Sequence, residues 1–285
     1  MNNHLRGILH ILIAAVCFSL MSFFVKLSGD LPTMQKVFFR NAVATVIAIY
    51  ILARSEDGFK VKKDSWKALL CRCVFGTSGL IANFWAIDHL AVADANMLNK
   101  MSPFFAIIMS VFILKEIPNR FEIFCVIIAF IGAMFVVKPT AGIASVPALV
   151  GLFGGFGAGA AYTFVRKLGK QGERGPIIVL CFSAFSTLIA LPFFVFGYEP
   201  MSVAQWACLI AAGCVAAIAQ INITAAYTYA PAKEISVFDY TQVLFAALWG
   251  GIFLDELPDI YSIIGYAIII GIAVIRWHVG IKGSN

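Results

Sequence analysis

The sequence predicts an all-α integral membrane protein of ten transmembrane helices in two inverted five-helix repeats. Composition indicates the class, since 61% of the 285 residues are hydrophobic, 13% are charged and the mean hydropathy is +0.91. A soluble domain carries about a quarter charged residues. The apolar residues also come in runs that can cross a hydrocarbon core, which takes about 20 helical residues. These runs do not alternate in polarity as barrel strands do, and backbone in lipid must satisfy its own hydrogen bonds, so we interpret them as helices.

Charged residues, prolines and glycines divide the chain into ten apolar runs. The first run is too long for the core of a secretory signal, so we count it as a span. The connections are short, except for the basic stretch 54–67, and no separate soluble domain is expected. The predicted spans are residues 7–27, 34–53, 66–87, 95–114, 120–137, 147–167, 176–197, 204–226, 234–254 and 259–279.

Loop charges predict the orientation of these spans. With the N-terminus in the cytoplasm, most of the 21 lysines and arginines fall on the cytoplasmic side, and only Lys26, Lys36 and Lys138 fall on the other. This skew is typical of the positive-inside rule. We therefore expect a multi-pass protein of the cell inner membrane with both termini cytoplasmic. A basic loop beside anionic membrane lipid explains the net charge of +6 without a nucleic-acid partner.

The two halves of the chain are similar when one is shifted by 140 residues. Leu114-Lys-Glu-Ile-Pro118 then falls on Leu254-Asp-Glu-Leu-Pro258, and Asn99 falls on Asp239. Each half holds five predicted spans, an odd number, so the second half crosses the membrane in the opposite sense. We predict two inverted repeats, residues 1–140 and 141–285, an arrangement from which many secondary transporters are built.

These features resemble the EamA-like branch of the drug/metabolite transporter superfamily over nearly the whole chain. The resemblance is carried by the Leu-x-Glu-x-Pro segments at Glu116 and Glu256, by Phe38-Phe-Arg40 and by the small-residue turn that ends at Asp94. It implies a ten-helix permease for small metabolites. Phe38-Phe-Arg40 and Asp239-Tyr240 also resemble the subgroup of S-adenosylmethionine and related metabolite permeases, although that subgroup often has a basic residue where this chain has Asp239.

Four ionisable residues lie inside predicted spans: Arg40, Arg72, Lys100 and Asp239. An intramembrane charge costs several kcal/mol unless it faces water or a partner, so each is a functional candidate. From a rise of about 1.5 Å per residue, we expect Arg40 and Lys100 roughly 5–7 Å outward of the midplane, and Arg72 and Asp239 roughly 8 Å inward. Each arginine has an alternative, in which its side chain extends to the lipid headgroups.

Polar residues recur at helical spacing in three spans, and we predict that they line a central cavity. The predicted substrate-binding residues are Asn96, Asn99 and Lys100 in span four, Gln220, Thr224 and Tyr227 in span eight, Asp239 and Tyr240 in span nine, and additionally Trp85 and Arg40. The alternative is that the amides and hydroxyls only hold helices together. We also predict that Arg72 and Asp239 form a gating pair whose separation couples proton or cation binding to transport. A permanent pair is the alternative.

Two further patterns have structural interpretations. The glycines of span six form small-x-x-x-small patterns, which predict close helix packing. They are Gly151, Gly154, Gly155, Gly157 and Gly159. Glu116 and Glu256 stand beside prolines at span ends, where a carboxylate suits the positive end of the following helix dipole, so we expect them to cap those helices.

The sequence favours a secondary active transporter of small polar or zwitterionic organic metabolites, amino-acid-like or related, with alternating access. The alternative is an organic-cation or multidrug exporter with Asp239 as the cation site. An intramembrane enzyme is disfavoured because the four histidines lie near span ends without a catalytic constellation, and a channel because no ring of like charge is evident. We expect no cofactor or metal, and a monomer or homodimer.

Overall fold

The structure is a computed structural model that describes residues 3–89, 98–137, 146–253 and 259–282. In this part of the chain the ordered elements are helices, and no strand is present. They are α1 (Asn3–Leu27), α2 (Thr33–Ala53), a short 3-10 helix (Lys63–Ser65), α3 (Trp66–His89), α4 (Ser102–Leu114), α5 (Arg120–Val137), α6 (Val146–Lys170), α7 (Gly175–Phe196), α8 (Val203–Tyr229), α9 (Ala232–Asp239), α10 (Thr241–Phe253) and α11 (Ile260–Lys282). The all-α class is confirmed.

Eight segments of the described chain are long and apolar enough to cross a membrane. They coincide with predicted spans one to three and six to ten. Span nine corresponds to α9 and α10 together, as one segment Ala232–Phe253. Predicted span four contains α4, a shorter apolar helix, and predicted span five coincides with α5. The count of ten spans therefore stays a prediction.

The helices pack in pairs that follow the 140-residue repeat. The repeat makes α6 the counterpart of α1, and α8 the counterpart of α3. The most extensive contacts join α3 to α6 and α1 to α8. Because α6 corresponds to α1 and α8 corresponds to α3, these two contacts are equivalent in the repeat. Two further pairs, α2 with α7 and α5 with α11, join a helix to its own counterpart. This contact pattern is compatible with two similar halves, and the inverted five-helix repeats stay a prediction.

A glycine face on α6 allows α3 and the start of α4 to approach closely. All five glycines of the predicted stripe are buried. A Cβ atom on Gly157 would lie 2.7 Å from the Cα of Gly79 in α3, and one on Gly155 would lie 2.5 Å from the carbonyl oxygen of Leu98. Side chains other than hydrogen cannot occupy these places without moving main-chain atoms. The prediction of close helix packing is confirmed.

The starts of α5 and α11 are capped by side chains of equivalent residues. Asn119 Oδ1 accepts a hydrogen bond from the N–H of Glu122 at 2.8 Å, and Glu122 Oε2 accepts one from the N–H of Asn119 at 2.7 Å. Asp259, 140 residues after Asn119, accepts from the N–H of Ser262 at 2.9 Å. Such bonds satisfy N–H groups that a helix start leaves free. The predicted capping role of Glu116 is therefore wrong, since Asn119 and Glu122 cap α5.

Glu116 instead joins the end of α4 to the end of α6. Its Oε1 lies 2.6 Å from Lys170 Nζ and 3.2 Å from Arg166 Nε. Arg166 also donates from Nη1 to the carbonyl oxygen of Thr228, near the end of α8, at 2.7 Å. Cations near helix C-termini interact favourably with the free carbonyl groups there. These contacts tie three helix ends together on one side of the bundle, while Glu256 lies outside the described residues.

Predicted spans four and nine are not continuous helices. Lys100 and Met101 form a turn before α4, and Tyr240 separates α9 from α10. In the first case Pro103, at the start of α4, lacks the N–H that a continuous helix would need. In the second, the Thr241 hydroxyl donates a hydrogen bond to the carbonyl oxygen of Phe238 at 2.6 Å. Such a side-chain bond competes with the regular hydrogen bonds of the helix backbone. Lys100 and Tyr240 are 140 residues apart, so the two interruptions are counterparts.

Candidate functional site

The two interruptions bring Lys100 and Asp239 into contact. Lys100 Nζ lies 3.8 Å from Asp239 Oδ2 and donates to Gln242 Oε1 at 2.8 Å. Both charged residues are buried, with 9% and 7% of their surface exposed. The Tyr240 hydroxyl donates to the carbonyl oxygen of Lys100 at 3.0 Å, beside the interruption where regular helical bonds end. An ion pair and a hydrogen bond thus join the two halves of the chain at one place.

The expected separation in depth between Lys100 and Asp239 is not found. The sequence placed these residues on opposite sides of the membrane midplane, but their charged groups form an ion pair. The calculation assumed a constant helical rise along spans 95–114 and 234–254. Because both spans are interrupted next to the charged residues, the rise and direction of the backbone change there, and the calculated depths do not apply.

Arg72, in α3, is buried without a carboxylate partner in the described part of the chain. Its Nη2 donates to Gln220 Oε1 at 3.3 Å, and its guanidinium lies 3.9 Å from the centroid of the Phe182 ring. The arginine is 2% exposed, and its Nε makes no hydrogen bond to a described residue. The predicted gating pair of Arg72 with Asp239 is not formed in this structure, because Asp239 pairs with Lys100. The alternative in which Arg72 extends to the headgroups is also wrong.

Arg40, in α2, is buried as well, so its extension to the headgroups is wrong. Its Nε donates to the sulfur of Met21 at 3.1 Å, and its Nη1 lies 3.5 Å from Asn41 Oδ1. Both are weak interactions for a guanidinium group, which forms its strong hydrogen bonds with carboxylates and phosphates. Arg40 lies near Arg72, so that their like charges repel, and both arginines lie near the phenol of Tyr162.

Tyr162, in α6, occupies a central place that sequence reasoning missed. Its ring stacks on Tyr227 with centroids 4.8 Å apart and 11° between the planes. Asp239 and both arginines lie near its phenol group. A phenol in the middle of an apolar span was the signal that could have identified it. Gln242 was missed because it belongs to α10, beyond the interruption, whereas the predicted stripe followed one continuous helix.

The remaining predicted residues differ in their burial. Thr224 and Tyr227, both in α8, are buried, at 0% and 1% exposure. Asn99 is half-buried, and Asn96 lies outside the described residues. Trp85 is 38% exposed and its ring stacks on His89 at 3.9 Å, so the structure does not place it among the buried polar groups.

Together these groups form a polar centre in an otherwise apolar bundle. We define the central cluster as Arg40, Arg72, Lys100, Tyr162, Asp239 and Gln242. Its members come from both halves of the chain and supply guanidinium, ammonium, carboxylate, amide and phenol groups. Such a mixture recognises polar solutes by charge and hydrogen bonding. The described residues contain no group of three or more His, Cys, Asp or Glu side chains placed to hold a metal ion.

Comparison with known proteins identifies relatives over almost the whole chain. The model of the EamA-like transporter family matches twice, over residues 5–138 and 146–277. The chain is 34% identical over 267 residues to the pseudopaline exporter of Pseudomonas aeruginosa, and the match covers 93% of each protein. It is 25% identical to the riboflavin transporter of Vibrio cholerae, over 93% of this chain and 91% of that protein.

The fold has a solved counterpart. A crystal structure superposes with a TM-score of 0.84 over 98% of this chain and 99% of its own length, at 15% sequence identity. Identity at this level shows a shared fold and carries no information on substrate. The chain therefore shares its overall fold with that structure.

Proposed function

Because the chain belongs to the EamA-like transporter family, we propose that it is a secondary active transporter of small polar or zwitterionic organic metabolites. The proposal includes the organisation expected from the sequence: ten spans in inverted repeats at residues 1–140 and 141–285. It places the protein in a bacterial inner membrane with both termini in the cytoplasm. The two separate matches of the family model support two repeats of one unit. Alternating access around the central cluster is the proposed mechanism.

The observation that carries the proposal is the contact of Lys100 with Asp239 at two equivalent helix interruptions. Interrupted helices expose polar backbone inside a membrane, where it is tolerated only in protein or beside a water-filled cavity. In secondary transporters, substrate sites form where such half-helices meet near the midplane. Lys100 offers a cation and Asp239 an anion, so together they suit a solute that carries both charges.

Export is the direction that we propose, because a relative at 34% identity is named an exporter. Membership of the S-adenosylmethionine permease subgroup stays a prediction based on Phe38-Phe-Arg40 and Asp239-Tyr240. An organic-cation exporter is less well supported, because Asp239 is already paired with Lys100 and the neighbouring side chains Arg40 and Arg72 would repel a cation.

The proposal can be tested by flux measurements in inside-out vesicles, into which an exporter accumulates its substrate. The panel contains labelled amino acids, riboflavin, S-adenosylmethionine and small carboxylates, each with and without a proton gradient. We expect gradient-driven accumulation of at least one panel member by the wild-type protein. The double variant Lys100→Met/Asp239→Asn should lose most of this flux, since it removes both charges without leaving either one unpaired.

Lys67→Met is the matched control, because it removes an exposed lysine at the start of α3 that is not a member of the central cluster. Its flux should equal that of the wild type. Flux is normalised to folded protein in each vesicle preparation, so that a loss of yield is not read as a loss of transport. Wild-type flux in the double variant would exclude the Lys100–Asp239 pair as the transport site.

A further inference from the structure

The central cluster has an excess of positive charge inside the bundle. Arg40, Arg72 and Lys100 are buried, at 6%, 2% and 9% exposure, and Asp239 is the one carboxylate that forms an ion pair within the cluster as described. That pair neutralises Lys100, and no carboxylate among the described residues forms an ion pair with either guanidinium group. A buried charge is costly unless an opposite charge or several hydrogen bonds compensate it.

The contacts of the two arginines do not provide that compensation. Arg40 has a thioether sulfur and a long contact to an amide, and Arg72 has one amide oxygen and a phenyl ring. The Nε of Arg72 is buried and makes no hydrogen bond to a described residue. A guanidinium group has five N–H donors in a planar fork, so donors remain available on both residues.

The surrounding chain makes room for these groups. A Cβ atom on Gly76, one helical turn after Arg72, would overlap the Arg72 guanidinium and lie 2.9 Å from the ring of Phe182. Glycine at this position leaves space for the arginine between α3 and the ring, and a larger residue would force the guanidinium or the ring to shift. Arg72 lies beside this glycine, and Arg40, Arg72 and Asp239 all lie near the phenol of Tyr162.

We propose that Arg40 and Arg72 form an anion subsite, and that the transported solute carries two negative charges, either on two carboxylates or on one phosphate. This inference rests on the proposed transport function and specifies its substrate class. Each guanidinium fork can bind one oxyanion in bidentate geometry, which is the arrangement that arginine favours for both groups. A doubly anionic solute would cancel the excess charge of the cluster and would leave the Lys100–Asp239 pair for its remaining polar groups.

Thermal unfolding of the purified protein in lipid nanodiscs tests the proposal with defined probes. Succinate represents two carboxylates, and glycerol 3-phosphate represents a dianionic phosphate. Dimethyl succinate is the neutral control, and sodium chloride at matched ionic strength controls for screening. We expect at least one dianion to raise Tm saturably in the wild type. Stabilisation by succinate alone assigns carboxylates, and stabilisation by glycerol 3-phosphate alone assigns phosphate.

Two variants connect the effect to the arginines. In Arg40→Gln and in Arg72→Gln the concentration for half-maximal stabilisation should rise at least tenfold, whereas the control Lys67→Gln should match the wild type. Without any probe, neither arginine variant should have a lower Tm than the wild type, because each removes an uncompensated charge. Arginines that merely hold helices together would instead give a lower Tm in both variants and no change in the probe concentration.

The proposal is overturned if neither dianion raises Tm above the chloride control, or if both arginine variants respond as the wild type does. It is also overturned if both lose stability without a probe while their probe response is retained. Any of these results would leave the transport function standing, because that function is judged by the flux of the labelled panel and by the Lys100–Asp239 double variant.

Discussion

The hydroxyl group of Tyr240 donates a hydrogen bond to the carbonyl oxygen of Lys100, the residue that stands 140 positions earlier in the chain. The bond connects the two helix interruptions, and Tyr240 is fully buried, at 0% exposure. The Tyr240 side chain in one half therefore supplies the hydrogen-bond donor for the backbone carbonyl at the equivalent position in the other half. The interruption at Lys100 depends on this bond, since a buried carbonyl without a partner is destabilising.

Replacing this tyrosine tests the dependence. Tyr240→Phe removes the hydroxyl and leaves the Lys100 carbonyl buried without its partner, so we expect a loss of about 1–3 kcal/mol in the free energy of unfolding. The measurement is thermal or denaturant unfolding in nanodiscs. Tyr261→Phe is the control, because Tyr261 is 57% exposed and should tolerate the change. Equal stability of the two variants would contradict a role for the bond.

The Lys100–Asp239 ion pair predicts that substitutions of these two residues have non-additive effects on stability. Lys100→Met leaves Asp239 as a buried carboxylate without its ion pair, and breaking a buried pair in this way costs about 3–5 kcal/mol. Lys100→Met/Asp239→Asn removes both charges, so its stability should exceed that of Lys100→Met. The check is a double-mutant cycle on Tm, with Asp239→Asn as the fourth corner. Additive losses would show that the two side chains do not interact.

Glycine packing between α3 and α6 predicts opposite effects of one substitution at two sites. At Gly157 an added Cβ would meet the backbone of α3, with the Cα of Gly79 at 2.7 Å, so Gly157→Ala should destabilise by about 1–3 kcal/mol. At Gly271 in α11 nothing lies within 4 Å of an added Cβ, and Gly271→Ala should stabilise by about 0.5–1 kcal/mol through helix propensity. Unfolding of both variants under one condition decides the comparison. A neutral Gly157→Ala would contradict the close packing.

The expected orientation can be checked with reporter fusions in a bacterial host. Loop charge predicts that fusions at Lys63 and at Gly172 report the cytoplasm, and that a fusion at Gly142 reports the periplasm. An enzyme that is active only in the periplasm and a protein that fluoresces only in the cytoplasm give complementary readouts. A reversed result at one of these sites would refute the predicted order of spans.

The helices were predictable where a single physical rule determines them. Eight of the spans predicted from hydropathy coincide with segments long enough to cross a membrane. A helix that crosses lipid must be long and apolar, regardless of which helices pack against it. The close packing of the α6 glycines also followed from their spacing alone. Register between the halves identified position 240 as the equivalent of position 100, and the structure places interruptions at both.

The contacts of the central cluster were not predictable from periodicity. A stripe at helical spacing assumes an unbroken helix, whereas Pro103 and the hydroxyl of Thr241 change the backbone next to Lys100 and Tyr240. Depth along the membrane was calculated on the same assumption, so Asp239 was assigned to Arg72 as a partner. Packing between helices that are distant in the chain instead brings Lys100 into contact with Asp239. Such packing leaves no local pattern in the sequence.

The contact between α3 and α6 restricts how the molecule can move. Where Gly157 meets Gly79, main chain touches main chain, and no flexible side chain lies between the helices to adjust its rotamer. Sliding or tilting one helix against the other would drive backbone atoms together, which packed interiors resist. The two helices therefore behave as one rigid body. We expect any change of access to the central cluster to use hinges elsewhere, at the turns of Lys100 and Tyr240, where the helical bonding is already interrupted.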